Sequence, residues 1–286
     1  MPHVDSGRES VLLLGPPYRK FQAVDLADPA QPQEGGWSLT WNLGSDRWRD
    51  GKELVTDRLA GIPLVIILPD GNDQLSVLRI LRLIERTRPQ VVLPHHQVPC
   101  PREIATVIRR PPTSLASSVT DYLDWRGIPL DPDTRKIVRR TLELSDRVQT
   151  ITALARHLYM SRRALARRLL AQGLPVPSHW LQIARILRVT LKLQNTDASL
   201  FRIATSLGYP DGFSLSNQMK RLCGVRPLEA RQRLGWEWLF ETWLASEAER
   251  GTLPRSVLGS RPTIVVPRSG DPDRPATLPP SSAASL

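Results

Sequence analysis

Four arginines fall within seven residues, Arg162, Arg163, Arg167 and Arg168. A guanidinium is a rigid fork of donors that matches paired acceptors such as guanine O6 and N7, or the oxygens of a phosphate. Further along, Asn217 and Gln218 carry the amide groups that pair with adenine N6 and N7, next to Lys220 and Arg221. Helical spacing sorts these residues. In the stretch from Ser161 to Ala171, Leu165 and Leu169 fall on one face, which leaves Arg162, Arg163, Ala166 and Arg167 on the other. In the second stretch Leu215, Met219 and Leu222 form the apolar stripe, opposite Gly212, Phe213, Ser214, Asn217 and Gln218. Arg162 and Arg168 read as phosphate contacts, joined by Ser161, Ser214, Lys220 and Arg221. Ser161 and Ser214 are equally suited to helix capping. Phe213 suits either a thymine methyl or packing on a neighbouring helix.

The elements that must hold these side chains are two helix-turn-helix units. One runs from Ile151 through a break at Tyr159-Met160 to Leu170 and Gly173; the other runs from Leu200 through Gly208 to Asp211 and on to Gly224. Ala155 and Ala204 are small where two helices must cross closely. Gly208 supplies a positive φ for a tight turn. Tyr159 stands at the equivalent place, so the first turn must differ or bear strain. Between the units a helix from about Pro177 to Gln194 repeats apolar residues at helical spacing. Such a strut fixes the separation of the two second helices, so one chain can address major-groove faces about 34 Å apart without dimerising.

These residues resemble the AraC/XylS family of transcription regulators. Leu154-Ala155, Leu158, Met160-Ser161, Leu165, Arg167 and Gly173 follow the first half of its pattern, and Arg185 with Leu187, Leu191 and Leu193 the middle. Ile203-Ala204, Gly208-Tyr209, Asp211, Lys220, Gly224, Pro227 and Arg231 follow its most specific part. The resemblance covers roughly 90 of 286 residues. It implies an all-α DNA-binding domain in which Arg163, Ala166 and Arg167 face bases; Phe213, Asn217 and Gln218, opposite the apolar stripe of the second stretch, are the base-contact candidates there. Double-stranded promoter DNA is the implied partner, with RNA polymerase and a second copy of the chain as further candidates. Trp180, Phe213, Leu215 and Met219 depart from the usual family residues. The change at Phe213 bears on base reading, and the second half is expected to be the weaker and less selective one.

Charge points the same way. Residues 135–231 hold 18 Lys or Arg against 5 Asp or Glu, a net of +13, whereas the whole chain is +11. Positive charge confined to the duplicated region is the footprint expected of phosphate binding. No nucleophile-base pair or metal-ligand spacing stands out, so no enzyme activity, cofactor or metal is expected. His95-His96 lack a neighbouring carboxylate or Cys at ligand spacing, Cys100 precedes a helix without a base, and Cys223 reads as packing. Two cysteines and no apolar run of membrane length suggest a cytoplasmic protein without a membrane partner.

Residues 1–112 read as a small α/β domain, with strands at Val11 to Leu14, Leu64 to Leu68 and Val91 to Leu93 and helices at Leu75 to Arg86 and Arg102 to Arg109. The alternation suggests a degenerate receiver or another small α/β scaffold with a partly parallel sheet. Receiver chemistry is missing, because Gly15-Pro16-Pro17 replaces the acidic pair, Asp70 sits in turn sequence and no Lys occurs between Lys52 and Lys136. Pro111-Pro112 marks a boundary. A helical connector at 113–145, a DNA-binding domain at 146–235, an extra amphipathic helix at 236–251 and a disordered tail at 252–286 complete the expected organisation. The competing reading is an enzyme or small-molecule sensor led by the N-terminal domain, or a regulator working through a protein partner.

Overall fold

The computed structural model describes residues 11–23, 36–44, 60–69, 74–94 and 100–255. The N-terminal part is a five-stranded sheet of β1 (Val11–Leu14), β2 (Phe21–Ala23), β3 (Ser38–Asn42), β4 (Leu64–Ile67) and β5 (Val91–Leu93), in the order β2-β1-β3-β4-β5. Strand β1 pairs antiparallel with β2 and β3, while β3-β4 and β4-β5 are parallel. The sheet is thus mixed, and of the two expected scaffolds the antiparallel pairs favour another small α/β fold over a receiver, whose doubly wound sheet is parallel. Asp70 and His95-His96 lie outside the described residues.

Helix α1 (Gln74–Thr87) covers one face of the sheet and α2 (Pro101–Arg109) the other, which explains why β1 and β4 are apolar throughout. On the α1 side Ile80 packs with Leu13, Leu39, Trp41, Leu64 and Ile66. On the α2 side Ile104, Ala105 and Ile108 meet Leu14, Tyr18 and Val65, and the same cluster takes in the fully buried Leu234 from far along the chain.

After Pro111-Pro112 the chain is helical: α3 (Leu115–Trp125), α4 (Pro132–Leu144), α5 (Ile151–His157), α6 (Arg162–Ala171), α7 (Pro177–Asn195), α8 (Leu200–Ser206), α9 (Gly212–Cys223), α10 (Pro227–Gln232) and α11 (Glu237–Glu249). One hydrophobic core runs without a break from Leu115 to Leu253. Helix α7 is its axis, touched by α2, α4, α5, α6, α8, α10 and α11. The boundaries expected at 145 and 236 therefore do not divide the core. Helices α3 and α4 supply Val119, Leu123, Val138 and Leu142, and α11 supplies Phe240, Trp243 and Leu244. The Trp180 and Trp243 rings meet edge-on at 4.9 Å, and Trp180 is 1% exposed. The tryptophans at 236, 238 and 243 are buried, so packing rather than an exposed partner surface accounts for them. Residues 252 and 253, expected in a disordered tail, are packed on the helical unit, because Leu253 is buried and Thr252 donates to Glu247 Oε2 at 2.7 Å.

Helix α11 is pinned at two carboxylates. Arg126 grips Glu241 with Nε at 3.0 Å and Nη2 at 2.6 Å, and Tyr122 donates its hydroxyl to the same carboxylate at 3.0 Å. That hydroxyl in turn accepts the Gly61 N–H at 2.9 Å, which ties the loop before β4 to α3. Glu247, with no exposed surface, takes His179 Nδ1, Arg250 Nη1 and Thr252 Oγ1. Asn195 at the end of α7 donates to the Arg109 carbonyl, and Arg109 donates to the Gln232 carbonyl, so α2 is bound to the helical unit.

A fragment covering 146–235 loses α3, α4 and α11 and uncovers Trp180 and the inner face of α7. It is expected to show little cooperative unfolding by circular dichroism in urea, whereas a fragment covering 113–255 gives a single sharp transition. Equal cooperativity in the two fragments would overturn the shared-core assignment.

Candidate nucleic-acid interface

The two units repeat the same hydrogen-bond scheme. Thr150 caps α5 by accepting the Ala153 N–H, and Ser199 caps α8 by accepting the Arg202 N–H. In the first turn the N–H groups of Leu158, Tyr159 and Met160 donate to the carbonyls of Ala155, Arg156 and Ala155; in the second those of Leu207, Gly208 and Tyr209 donate to Ala204, Thr205 and Ala204. Gly208 has φ +74 and Tyr159 has φ +54, so of the two expected possibilities for the first turn, strain is the one realised. Tyr159 is 98% exposed, so no burial offsets that strain.

The second helices open on good caps. Ser161 accepts the Ala164 N–H at 3.1 Å, and Asp211 accepts the Ser214 N–H at 2.7 Å. The backbone bond from Ser214 holds the Asp211 carboxyl below its ordinary range, so the cap stays ionised through neutral pH. The second turn is one residue longer than the first. Aligned on the caps, Phe213 matches Arg163, Asn217 matches Arg167 and Gln218 matches Arg168.

Each of these helices buries one stripe and presents the other. Leu165 and Leu169 on α6, and Leu215, Met219 and Leu222 on α9, are buried. Arg162, Arg163 and Arg167 are exposed, with Ala166 half-buried between them. On α9 Phe213 is 75% exposed, so it does not pack on a neighbouring helix; Asn217, Lys220 and Arg221 are exposed, and Ser214 and Gln218 are half-buried. Arg221 also reaches Gln182 Oε1 at 3.4 Å. Ser161 is exposed while serving as the cap.

Arg168 departs from the expected phosphate role. Its Nη2 lies 2.7 Å from Asp131 and 3.0 Å from Asp133 at the start of α4, so two carboxylates already neutralise it. Asp131 also takes the hydroxyl of Thr134 and the N–H groups of Asp133 and Thr134, and the Thr134 hydroxyl is the leading reason that its carboxyl falls to about 2. The pairing therefore persists until the pH drops well below neutral, and Arg168 fastens α6 to α4.

Two more arginines of the basic region turn inward. Arg185, buried on α7, donates Nη2 to the Leu207 carbonyl at 2.6 Å and lies 4.2 Å over the Tyr209 ring, which clamps the second turn. Burial pushes the Tyr209 phenol above its ordinary range, with Arg185 pulling it back. One helical turn later, Arg188 donates to the carbonyls of Leu142 and Glu143 and to Ser145 Oγ, which caps the end of α4. Net charge alone gave no sign of these structural roles. An arginine set among Ile183, Ala184, Ile186 and Leu187 was the available signal for Arg185. Cys223 is buried, which pushes its thiol up to about 12 and leaves it a packing group.

Residues 154–233 match the family model of a helix-turn-helix domain. No curated protein sequence matches the chain. Three similar solved structures are an AraC-type transcriptional regulator from Chromobacterium violaceum, the DNA-binding domain of the transcriptional factor AdpA in complex with a target DNA, and the regulator CdpR from Pseudomonas aeruginosa. The first is 22% identical over 35% of this chain and 94% of its own, with a TM-score of 0.31. The second is 26% identical over 42% and 97%, with a TM-score of 0.31. The third is 22% identical over 65% and 58%, with a TM-score of 0.32. The family match and the two helix pairs define a double helix-turn-helix protein. Residues 154–233 of the chain carry that helix-turn-helix domain. Among the described residues no helix is long and apolar enough to cross a membrane, and no group of three or more His, Cys, Asp or Glu is placed to hold a metal ion.

Replacing Arg185 by Met keeps much of its volume but removes a charged hydrogen bond to a buried carbonyl. The expected cost is about 1.5 to 3 kcal/mol in urea denaturation of the full chain. An unchanged midpoint would show that the clamp on the second turn contributes nothing.

Proposed function

We propose that this chain is a sequence-specific, DNA-binding transcription regulator whose α6 and α9 read successive major-groove faces. The observation that carries the reading is the pair of helices with one buried stripe and one exposed stripe of base-compatible side chains, α6 packed on α7 and α9 packed on α8 and α11. Arg163 and Arg167 take guanine O6 and N7 in the first half, with Ala166 between them close to the base edges. In the second half Asn217 and Gln218 take adenine, and Phe213 takes a thymine methyl. Arg162, Lys220, Arg221, the cap residue Ser161 and Ser214 in the first turn of α9 hold phosphates; Arg168 does not, because its charge is spent on Asp131 and Asp133. The exposed arginines of α6 make the first half dominant, since charge-assisted bonds are roughly twice as strong as neutral ones. Bound in this way the protein sits on chromosomal DNA in the cytoplasm, and RNA polymerase is the machinery on which it acts.

Competition binding of the full chain on a specific site and on scrambled duplex tests the assignment of faces. Arg163→Ala and Arg167→Ala are each expected to cost about 1 to 3 kcal/mol at the specific site and to relax preference at one base pair. Arg162→Ala weakens both duplexes alike and lowers the salt dependence. Asn217→Ala costs less than either base-reading arginine. Loss of discrimination through Arg162→Ala alone, or a larger cost for Asn217→Ala, would refute the assignment.

A further inference from the structure

Helix α1 carries two apolar stripes. One is buried: Ile80 lies in the core on that face of the sheet, with Leu83 and Ile84 partly buried against it. The other, Val77, Leu78 and Leu81, recurs at helical spacing on the flank of the helix and is 40% to 56% exposed. Ile84, Glu85 and Arg88 continue that flank and lie around one cleft with Val91 and Val92, which sets it beside β5, the edge of the sheet. Val92 pairs in register with Ile66, a residue of the α1-side core, so it points to the same side, and it is 39% exposed. A lone apolar side chain on a surface needs no explanation, whereas a contiguous group such as this marks an interface.

The charges around this patch complement themselves. Arg82 and Glu85 flank Leu81, both exposed, and neither has a partner among the described residues although they stand three positions apart. Arg88, the other cation on this flank, is already paired with Asp121. When two copies bring their α1 helices together antiparallel about a two-fold axis at Leu81, Arg82 of one and Glu85 of the other stand about 7 Å apart along the helix axis, and the symmetry forms the pair twice. That gap is within the combined reach of the two side chains. Net charge does not oppose the contact. Residues 1–112 hold 14 Lys or Arg against 13 Asp or Glu, so two sheet units meet without repulsion, whereas residues 135–231, at +13, repel their copies.

We infer that the flank of α1 is a self-association surface, through which two copies of this chain form a two-fold dimer with Leu78 and Leu81 at its centre and Arg82–Glu85 pairs at its rim. Four part-exposed apolar side chains bury less than the roughly 800 Å² per partner of a standard interface, so the dimer is weak and forms at micromolar concentrations. On DNA holding two sites, joining two chains raises the effective concentration of the second. That consequence rests on the DNA-binding reading, whereas the association itself does not and is measured without DNA.

The experiment is sedimentation equilibrium of the full chain without DNA, from about 1 to about 200 μM. A monomer at the low end that passes to a dimer, and to nothing larger, is expected. Leu81→Asp sets a charge in the apolar centre and is expected to weaken association by about tenfold or more while the thermal melt stays cooperative. Arg82→Glu and Glu85→Arg are each expected to weaken it by about fivefold, and an equal mixture of the two variants to recover the parent affinity, because each then meets its opposite charge across the two-fold. Should Leu81→Asp fail to fold, the two charge variants, both at exposed positions, carry the test. The mass of a single chain at every concentration, growth beyond a dimer, a dimer untouched by Leu81→Asp, or a mixture of charge variants no tighter than either alone overturns the proposal.

Discussion

Helix α7 is buried along most of its length, and its neighbours have geometry only because it is held so tightly. A helix enclosed on every side has no polar face to give to water, so its polar residues must find partners inside the protein. Arg185 and Arg188 do this in opposite directions. One closes on the second turn through Leu207 and Tyr209, and the other on the end of α4 through Leu142, Glu143 and Ser145. A single rod is thereby fastened to the second unit and to α4, while α5 and α6 of the first unit pack on it directly, and the relative placement of α6 and α9 follows from these contacts.

The basic charge of this region divides into two populations. Arginines with paired partners, Arg126, Arg168, Arg185, Arg188 and Arg231, join elements of the fold. Arg162, Arg163 and Arg167 are exposed on the outer face of α6. A surface arginine without burial contributes little to stability, so a run of three on one helix is best understood as serving something outside the chain. The same division explains why the two halves differ. Where the first half has Arg163 and Arg167, the second has Phe213 and Asn217, so the halves differ in charge as well as in shape.

Much of this was legible in the sequence because it rests on local rules. Period, caps and turn glycines located α5 to α9 within a residue or two, and the apolar runs located β1, β4 and β5. Strand β3 lacks the continuous apolar run that located β1, β4 and β5: Leu39 and Trp41 alternate with Ser38, Thr40 and Asn42, although all five are buried. Strand β2 has only three residues, too few for any period. What could not be read was long-range. The insertion of Leu234 into the sheet core, the Arg126–Glu241 pair and the capture of Arg168 by Asp131 each join residues far apart in sequence, and no spacing rule announces them. The limits expected at 145 and 236 fall inside one packed core for the same reason, since a core is defined by what packs and not by where a motif stops. On the candidate interface, the outward set on α6 followed from Leu165 and Leu169, whereas the fate of Phe213 needed the structure, because an aromatic at a helix start is as well suited to packing as to exposure.

The central claim is that one chain, through the fixed span of α7, presents α6 and α9 to successive major-groove faces. Hydroxyl-radical footprinting of the full chain on a site selected from random duplex tests it most directly. Two protected windows centred about one helical turn apart, on the same side of the duplex, are predicted at protein concentrations where the complex contains one chain. A single window, or two windows on opposite sides, contradicts the account.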